Sequence, residues 1–332
     1  MQIIVLLVIF TITIFTASQL ADKTFAIAYF PAPLKQISDG VDPANVTCTE
    51  GLEIVLKKSN GNPACLKPSS VAKLIERGWA IHILPDFKDE NNNSEIFEVG
   101  SYNVDVGLVD YFDGTQGYLV RPTVNGEFPE IDGEFPGIIM IHEWWGLNDN
   151  IKEMAQKLAS HGYVVLAVDL YNGEVATTSD QARQLISSFD KDAGIENMNF
   201  AASYIQENHN VEKLGSIGWC FGGGQSLNLA LNNLDMDATV IYYGSLVAEQ
   251  ESLSSISWPV LGIFAELDQG IPVESVNGFE SSLDELDIPN EIHIYPGVDN
   301  AFANPSGERY APDESKDAWE KTLEFLETNL MS

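Results

Sequence analysis

Six short, nearly unbroken apolar runs constrain the fold of this chain more than any other feature. They are PGIIMIHE (136–143), VVLAVDL (164–170), LGSIGW (214–219), TVIYYG (239–244), VLGIFAEL (260–267) and EIHIYPG (291–297). A strand buried on both faces reads as a continuous apolar stretch rather than an alternating one. Between most of these runs lie patterns of helical period: DNIKEMAQKLASHG, IENMNFAASYIQENH and VNGFESSLDELD, with ESKDAWEKTLEFLETNL after the last. Strands that alternate with amphipathic helices build a mostly parallel sheet covered on both faces, so the expected class is α/β. YNVDVGLVDY and QGYLVRP ahead of the first run suggest an antiparallel pair.

The first third of the chain has a different grammar. Residues 3–17, IIVLLVIFTITIFTA, form an uncharged apolar run. It is short for a membrane span of about 20 residues and suits the apolar region of a signal peptide. Residues 1–20 are therefore expected to be a cleaved signal or a retained N-terminal anchor, and the protein to be secreted or held at the cell exterior. Residues 24–90 read as a small module: two short strands in VTCTEGLEIVLKKSNGNPACLKP around a Ser-Asn-Gly-Asn turn, then a helix in SSVAKLIERGWA that ends at Gly78. The turn-rich stretch PDFKDENNNSE leads through a linker at 91–100 to a domain at 101–332. Asn45 and Asn92 match the N-x-Ser/Thr glycosylation pattern.

Cysteine usage and charge narrow the function. Cys48 and Cys65 fall in the small module and are expected to pair in an exported chain, which leaves Cys220 as the odd thiol. The segment between Cys48 and Cys65 offers no His, Asp or Glu cluster with metal-ligand spacing. With 49 acidic against 17 basic residues and a net charge of −32, long-range repulsion argues against nucleic acid as a partner. A membrane would be met only through an uncleaved N-terminal segment.

Cys220 lies where the run LGSIGW should turn into a helix, with Gly218 two before it and Gly222 and Gly223 after it. Those spacings are what a nucleophile elbow needs, because a tight turn brings strand and helix backbones together. The following helix would also point its N-terminus at the sulfur and favour thiolate. The alternative is an ordinary strand-to-helix turn with a buried cysteine.

Four blocks, GSIGWCFGGG, MIHEWWGLNDNIKEMAQKLASHGYVVLAVDLYNG, FAELDQGIP and IYPGVDNAFANPSGERY, stand in an order that resembles the dienelactone hydrolases, a family of α/β-hydrolases. The resemblance covers about residues 100–330. It implies hydrolysis of an ester, lactone or thioester, as in carboxymethylenebutenolidases, with no metal or organic cofactor. It also implies a Cys–Asp–His triad with a glutamate against the resting thiol. By position, Cys220 matches the nucleophile, Asp268 the triad acid and Glu143 the glutamate. The backbone N–H groups of Trp144 and Phe221 match the oxyanion donors, and Trp145 and Tyr171 are expected to wall the pocket. An arginine that some members carry four residues after the histidine corresponds to Asn304, and Arg183 lies near another substrate-binding region.

One position departs from the family. The histidine immediately before the Ala-Phe of the last block is Asn300, whose amide neither accepts nor returns a proton at neutral pH. The five histidines give no evident substitute. His82 lies in the small module, His161 and His209 end helical patterns, and His293 is upstream on a strand. His142 is nearest, but strand alternation points it away from Glu143. Three readings stay open: a hydrolase in which Glu143 serves as the base, a non-turning-over fold that binds a small ligand, and a thiol redox role for Cys220.

Overall fold

The structure, a computed structural model, describes residues 33–38, 41, 46–49, 52–57, 62–67, 70–71, 73–74, 77, 80–82, 100–124 and 135–331. The apolar segment at 3–17, Asn45, Asn92, Gly78 and the linker up to residue 99 lie outside the described residues. The chain divides into two compact units, Met1–Asp86 and Phe87–Ser332.

In the first unit, α1 (Pro33–Ser38) precedes a three-stranded antiparallel sheet of β1 (Glu53–Lys57), β2 (Pro63–Leu66) and β3 (Ala80–His82), in the order β2-β1-β3. The two strands expected on either side of the Ser-Asn-Gly-Asn segment are β1 and β2. Cys48 and Cys65 form a disulfide, with Cα atoms 5.6 Å apart. Among the described residues of this unit, Val55 and Val71 form a small buried apolar cluster.

The second unit is built on an eight-stranded sheet in the order β11-β10-β9-β8-β6-β7-β5-β4. The six apolar runs are β6 (Gly137–Ile141), β7 (Val164–Val168), β8 (Leu214–Trp219), β9 (Ala238–Tyr242), β10 (Val260–Ala265) and β11 (Asn290–Tyr295), all parallel. β4 (Asn103–Phe112) and β5 (Thr115–Thr123) form the expected antiparallel pair at the edge beside β7. The unit thus has the mostly parallel sheet between helical layers that the pattern of runs implies, in the α/β-hydrolase architecture that the family resemblance implies.

Each inner strand is buried on both faces because its alternate residues enter two different cores. Ile138 and Met140 of β6 join Val165, Ile217, Val240 and Ile263 in one, under α2 (Asp149–Ser160) and the final helix α8 (Pro312–Leu330). Ile139 and Ile141 join Leu166, Leu214, Ile241 and Phe264 in the other. That face is covered by α4 (Lys191–His209), α5 (Phe221–Asn232) and α7 (Val273–Glu285). With side chains pointing alternately up and down, an apolar residue at every position is what a sheet between two helical layers requires. The short helices α3 (Ser179–Ser188) and α6 (Gln250–Leu253) complete the unit.

Candidate active site

Six adjacent parallel strands each carry one polar or chemically competent residue just beyond their carboxyl end. Along the sheet these are Tyr171 after β7, Glu143 after β6, Cys220 after β8, Tyr243 after β9, Asp268 after β10 and Asn300 after β11. In a parallel sheet the strand ends and helix starts open on the same edge, which gathers residues far apart in sequence.

Cys220 sits on a sharp strand-to-helix turn with φ +54° and ψ −113°. The turn closes so tightly that a Cβ at Gly218 would lie 2.1 Å from the Gly222 carbonyl oxygen, and one at Gly222 would lie 2.3 Å from that of Ile141. Glycine is therefore obligatory at both positions. The Cys220 N–H donates to the Tyr242 carbonyl at 2.9 Å and its own carbonyl accepts from Gly224, which ties the elbow to β9 and to α5. The residue is half-buried.

The thiol is held protonated. Burial and the nearby Glu143 charge push Cys220 up to about 12, against the opposing pull of the Phe221 N–H and the Arg309 guanidinium. This reverses the expectation that the helix N-terminus would favour thiolate. Desolvating the sulfur and placing a carboxylate near it outweigh one backbone donor and the Arg309 charge.

Glu143 is not a solvated strand end. It is 3% exposed, and burial raises its carboxyl to about 7. Its Oε2 accepts a hydrogen bond from Nδ2 of Asn304. The Asn304 amide is itself fixed, because its Oδ1 accepts from the N–H and Oγ of Ser306 at 2.9 and 2.8 Å. A neutral amide at this place compensates a carboxylate far less than a guanidinium would, so the desolvation shift of Glu143 survives.

Asp268 is buried and spends one oxygen on its own turn, with Oδ1 accepting from the N–H groups of Gly270 and Ile271 at 2.7 and 3.1 Å. Its Oδ2 accepts from Nδ2 of Asn300 at 2.8 Å. The same Nδ2 lies 3.4 Å from the Tyr243 carbonyl. Asn300 thus links a buried carboxylate to the Tyr243 carbonyl beyond β9, and brings no basic nitrogen there. The following residue, Ala301, holds φ +65°, a left-handed conformation unusual for a residue with a Cβ.

No histidine of the second unit takes over the proton transfer. His142 is fully buried on the far side of β6, where Nδ1 lies 2.6 Å from the Glu143 carbonyl oxygen and Nε2 accepts from the Leu170 N–H at 3.1 Å. Both ring nitrogens are committed to backbone, which selects the tautomer protonated at Nδ1, and burial lowers its basicity. His161 caps α2 and His209 ends α4. His293 lies on β11, 3.9 Å from Glu291.

Trp144 and Trp145 meet edge-on, with ring centroids 5.0 Å apart, and both are half-buried. The Trp144 N–H makes no hydrogen bond among the described residues, while the Phe221 N–H is directed towards the sulfur. Arg183 stands exposed on α3 and pairs with Asp180, so it is a surface residue of that helix. The sequence reading passed over Arg309, whose charge reaches Cys220 and which pairs with Asp299 at 3.5 Å. It also passed over Tyr243, although a residue immediately after the run TVIYYG is placed by the strand-end rule that located Cys220.

Tyr171 and Tyr243 share an unusual property. Both are at least nine-tenths buried, and neither hydroxyl proton has an acceptor. The Ala303 N–H leans towards the Tyr243 oxygen, but the hydroxyl proton itself has no acceptor. Tyr171 packs against both His142 and Phe221, at centroid distances of 4.8 and 5.5 Å. Tyr243 packs on Phe302 at 5.6 Å and holds φ +34°.

The family model of the dienelactone hydrolases matches residues 117–330. A protein of Saccharolobus solfataricus named "Putative carboxymethylenebutenolidase" is 29% identical over 234 residues, which cover 57% of this chain and 88% of that protein. Protein usf of Aquifex pyrophilus is 31% identical over 225 residues, covering 65% of this chain and 94% of its own length. A solved structure, that of a dienelactone hydrolase-like promiscuous phosphotriesterase from metagenomic libraries, superposes with a TM-score of 0.60 at 22% identity. It covers 68% of this chain and 98% of its own.

Proposed function

Because this chain belongs to the dienelactone hydrolase family, we propose that its second unit hydrolyses a small ester, lactone or thioester with Cys220 as nucleophile and Glu143 as the base. The observation that carries this reading is a buried carboxyl raised to about 7 beside a thiol on a strained elbow. A carboxyl tuned to neutrality can both take and return a proton at working pH, which an ordinary glutamate cannot.

In this reading the Glu143 carboxylate takes the Cys220 proton as the sulfur attacks the acyl carbon. The N–H groups of Phe221 and Trp144 receive the negative charge on the carbonyl oxygen. The C–O or C–S bond to the leaving group then breaks, and that group departs with the proton from Glu143. Water attacks the resulting thioester, giving its proton to Glu143, and the thiol is restored as the acid leaves. Asn300 is the weak point, since no imidazole polarises the incoming water, so deacylation limits turnover and activated esters and lactones are the better substrates. Asp268 orients Asn300. Trp145 and Tyr171 wall the acyl pocket. No step calls for a metal or organic cofactor.

A second reading has its own support in the Asn300–Asp268 hydrogen bond: the fold has lost turnover and keeps the pocket for a small ligand. A redox role for Cys220 is the weakest, because the thiol is held protonated and thiolate is the reactive form. We further read residues 1–20 as a signal or anchor, and the protein as exported. The Cys48–Cys65 disulfide supports this, since such bonds persist in oxidising compartments.

The deciding experiment treats the protein with an activated aryl ester and compares it with Cys220→Ser. Steady turnover lost in Cys220→Ser supports the hydrolase. A stoichiometric burst alone means that acylation proceeds and deacylation fails. Equal rates in the two proteins would overturn the reading.

A further inference from the structure

Two buried phenols whose hydroxyl protons have no acceptor are costly, and phenylalanine would fill the same space without leaving a donor unpaired. Both hydroxyls belong to one region of the molecule. Each is affected by the charge of Cys220, and that of Tyr243 by Glu143 as well. Yet neither hydroxyl makes a hydrogen bond to the sulfur. They stand back from it, on opposite neighbours of β8 and β6: Tyr171 beyond β7 and Tyr243 beyond β9.

Neither ring is free to turn its hydroxyl away. Tyr171 packs in a three-ring cluster with His142 and Phe221, and its N–H is anchored to Oδ1 of Asp169 at 2.9 Å. Tyr243 is held by Tyr242 and Phe302, and its N–H is anchored to the Ile263 carbonyl at 2.7 Å. Its positive φ adds backbone strain at the same residue, a feature that concentrates at binding sites. The two rings therefore hold unpaired donors at strand ends that flank Cys220: Tyr171 against Phe221, the residue after the thiol, and Tyr243 one strand away beyond β9.

We propose that the Tyr171 and Tyr243 hydroxyls donate hydrogen bonds to oxygen atoms on the acyl group carried by Cys220, so that the site selects oxygen-bearing acyl groups over plain alkyl ones. The scissile carbonyl oxygen is already served by the Phe221 and Trp144 N–H groups. The additional donors therefore call for additional acceptors: an ether, hydroxyl or second carbonyl oxygen close to the reacting carbon. A hydrocarbon chain in the same place would leave both hydroxyls buried and unpaired, and sites built around polar donors reject such analogues strongly. This proposal rests on the reading of Cys220 as the acyl-bearing residue.

The test uses two aryl esters matched in size, 4-nitrophenyl methoxyacetate and 4-nitrophenyl butyrate, with each rate divided by that of spontaneous hydrolysis. The natural protein is expected to favour the methoxyacetate in kcat/KM by roughly tenfold, and Tyr171→Phe/Tyr243→Phe to lose most of that preference. Each Phe variant is also expected to melt at or above the natural temperature, because it removes an unpaired polar group. An unchanged preference in the double variant overturns the proposal. So does a fall in melting temperature with the preference kept, which would assign the hydroxyls to an internal water. If no ester shows Cys220-dependent turnover, the hydrolase reading fails separately. The tyrosines are then tested by calorimetric titration with methyl methoxyacetate and methyl butyrate. A preference for the first that disappears in the double variant upholds the two hydroxyls as donors to an oxygen-bearing ligand held without a bond to Cys220, and equal binding by the natural protein overturns that donor role.

Discussion

The Nδ2 of Asn300 donates to the Oδ2 of Asp268 across 2.8 Å, so a buried carboxylate holds a side chain that has no basic nitrogen to offer the thiol. Asn300→His is expected to place an imidazole in that position, with Nδ1 on Asp268 and Nε2 towards Cys220. General acid–base help of this kind raises turnover by about 10²–10⁴-fold. Stopped-flow and steady-state hydrolysis of an aryl ester measure it, and the gain should fall on deacylation. No gain in either phase would mean that Asn300 does not stand in the path of the proton.

Glu143 supplies a pH signature. Its carboxyl is raised from 4.5 to about 7 by burial, so kcat/KM should climb through about pH 7 as the base ionises and then level. Glu143→Gln should abolish that limb and reduce the rate by about 10²-fold or more at neutral pH. A profile in Glu143→Gln that still bends near 7 would assign the inflection to another group.

The same group affects stability. Folded Glu143 binds its proton more tightly than unfolded Glu143, so its contribution is greatest below about 4.5 and is lost as the pH rises through about 7. Glu143→Gln keeps an acceptor for Asn304 and has no charge to desolvate. Above pH 7 it should be the more stable protein, by on the order of 3 kcal/mol, with the difference vanishing towards pH 4. Denaturant unfolding at pH 5 and pH 8 reads both limits.

Ala301 holds φ +65° beside Asn300. Ala301→Gly removes the Cβ penalty of the left-handed region and is expected to stabilise the second unit by about 0.5–1 kcal/mol, after the greater freedom of glycine in the unfolded chain is counted. Gly218→Ala is expected to act in the opposite sense, since its Cβ would meet the Gly222 carbonyl oxygen at 2.1 Å. It should cost about 3 kcal/mol or more and displace Cys220. Calorimetric melting of both variants checks the pair.

The Cys48–Cys65 crosslink joins positions 17 apart. Replacing both residues by serine should lower the stability of the first unit by about 3 kcal/mol, while ester hydrolysis by the second unit stays at its natural rate. Limited proteolysis of the first unit, run alongside the ester assay, separates the two effects.

Much of the second unit was legible in its residues because a strand covered on both faces has to be apolar throughout. Six such runs, with helical periods between them, leave few arrangements besides a parallel sheet in two helical layers. The elbow was legible for a comparable reason: Gly218 and Gly222 stand where carbonyl oxygens leave no room for a Cβ. The absence of histidine at position 300 was evident from one letter.

Protonation and partnership were not legible, because they depend on burial and on residues distant in the chain. Cys220 looked like a thiolate at a helix N-terminus, and the fold instead buries it beside Glu143 and holds its proton. Asn304 lies 161 residues from the carboxylate that it grips. Tyr171 and Tyr243 are 72 positions apart, and nothing local marks their hydroxyls as unpaired. The sequence by itself determined the α/β layers, the turn that raises Cys220 and the asparagine at position 300. Only the tertiary structure decided which groups are charged, because the cost of a charge is set by the water that packing removes.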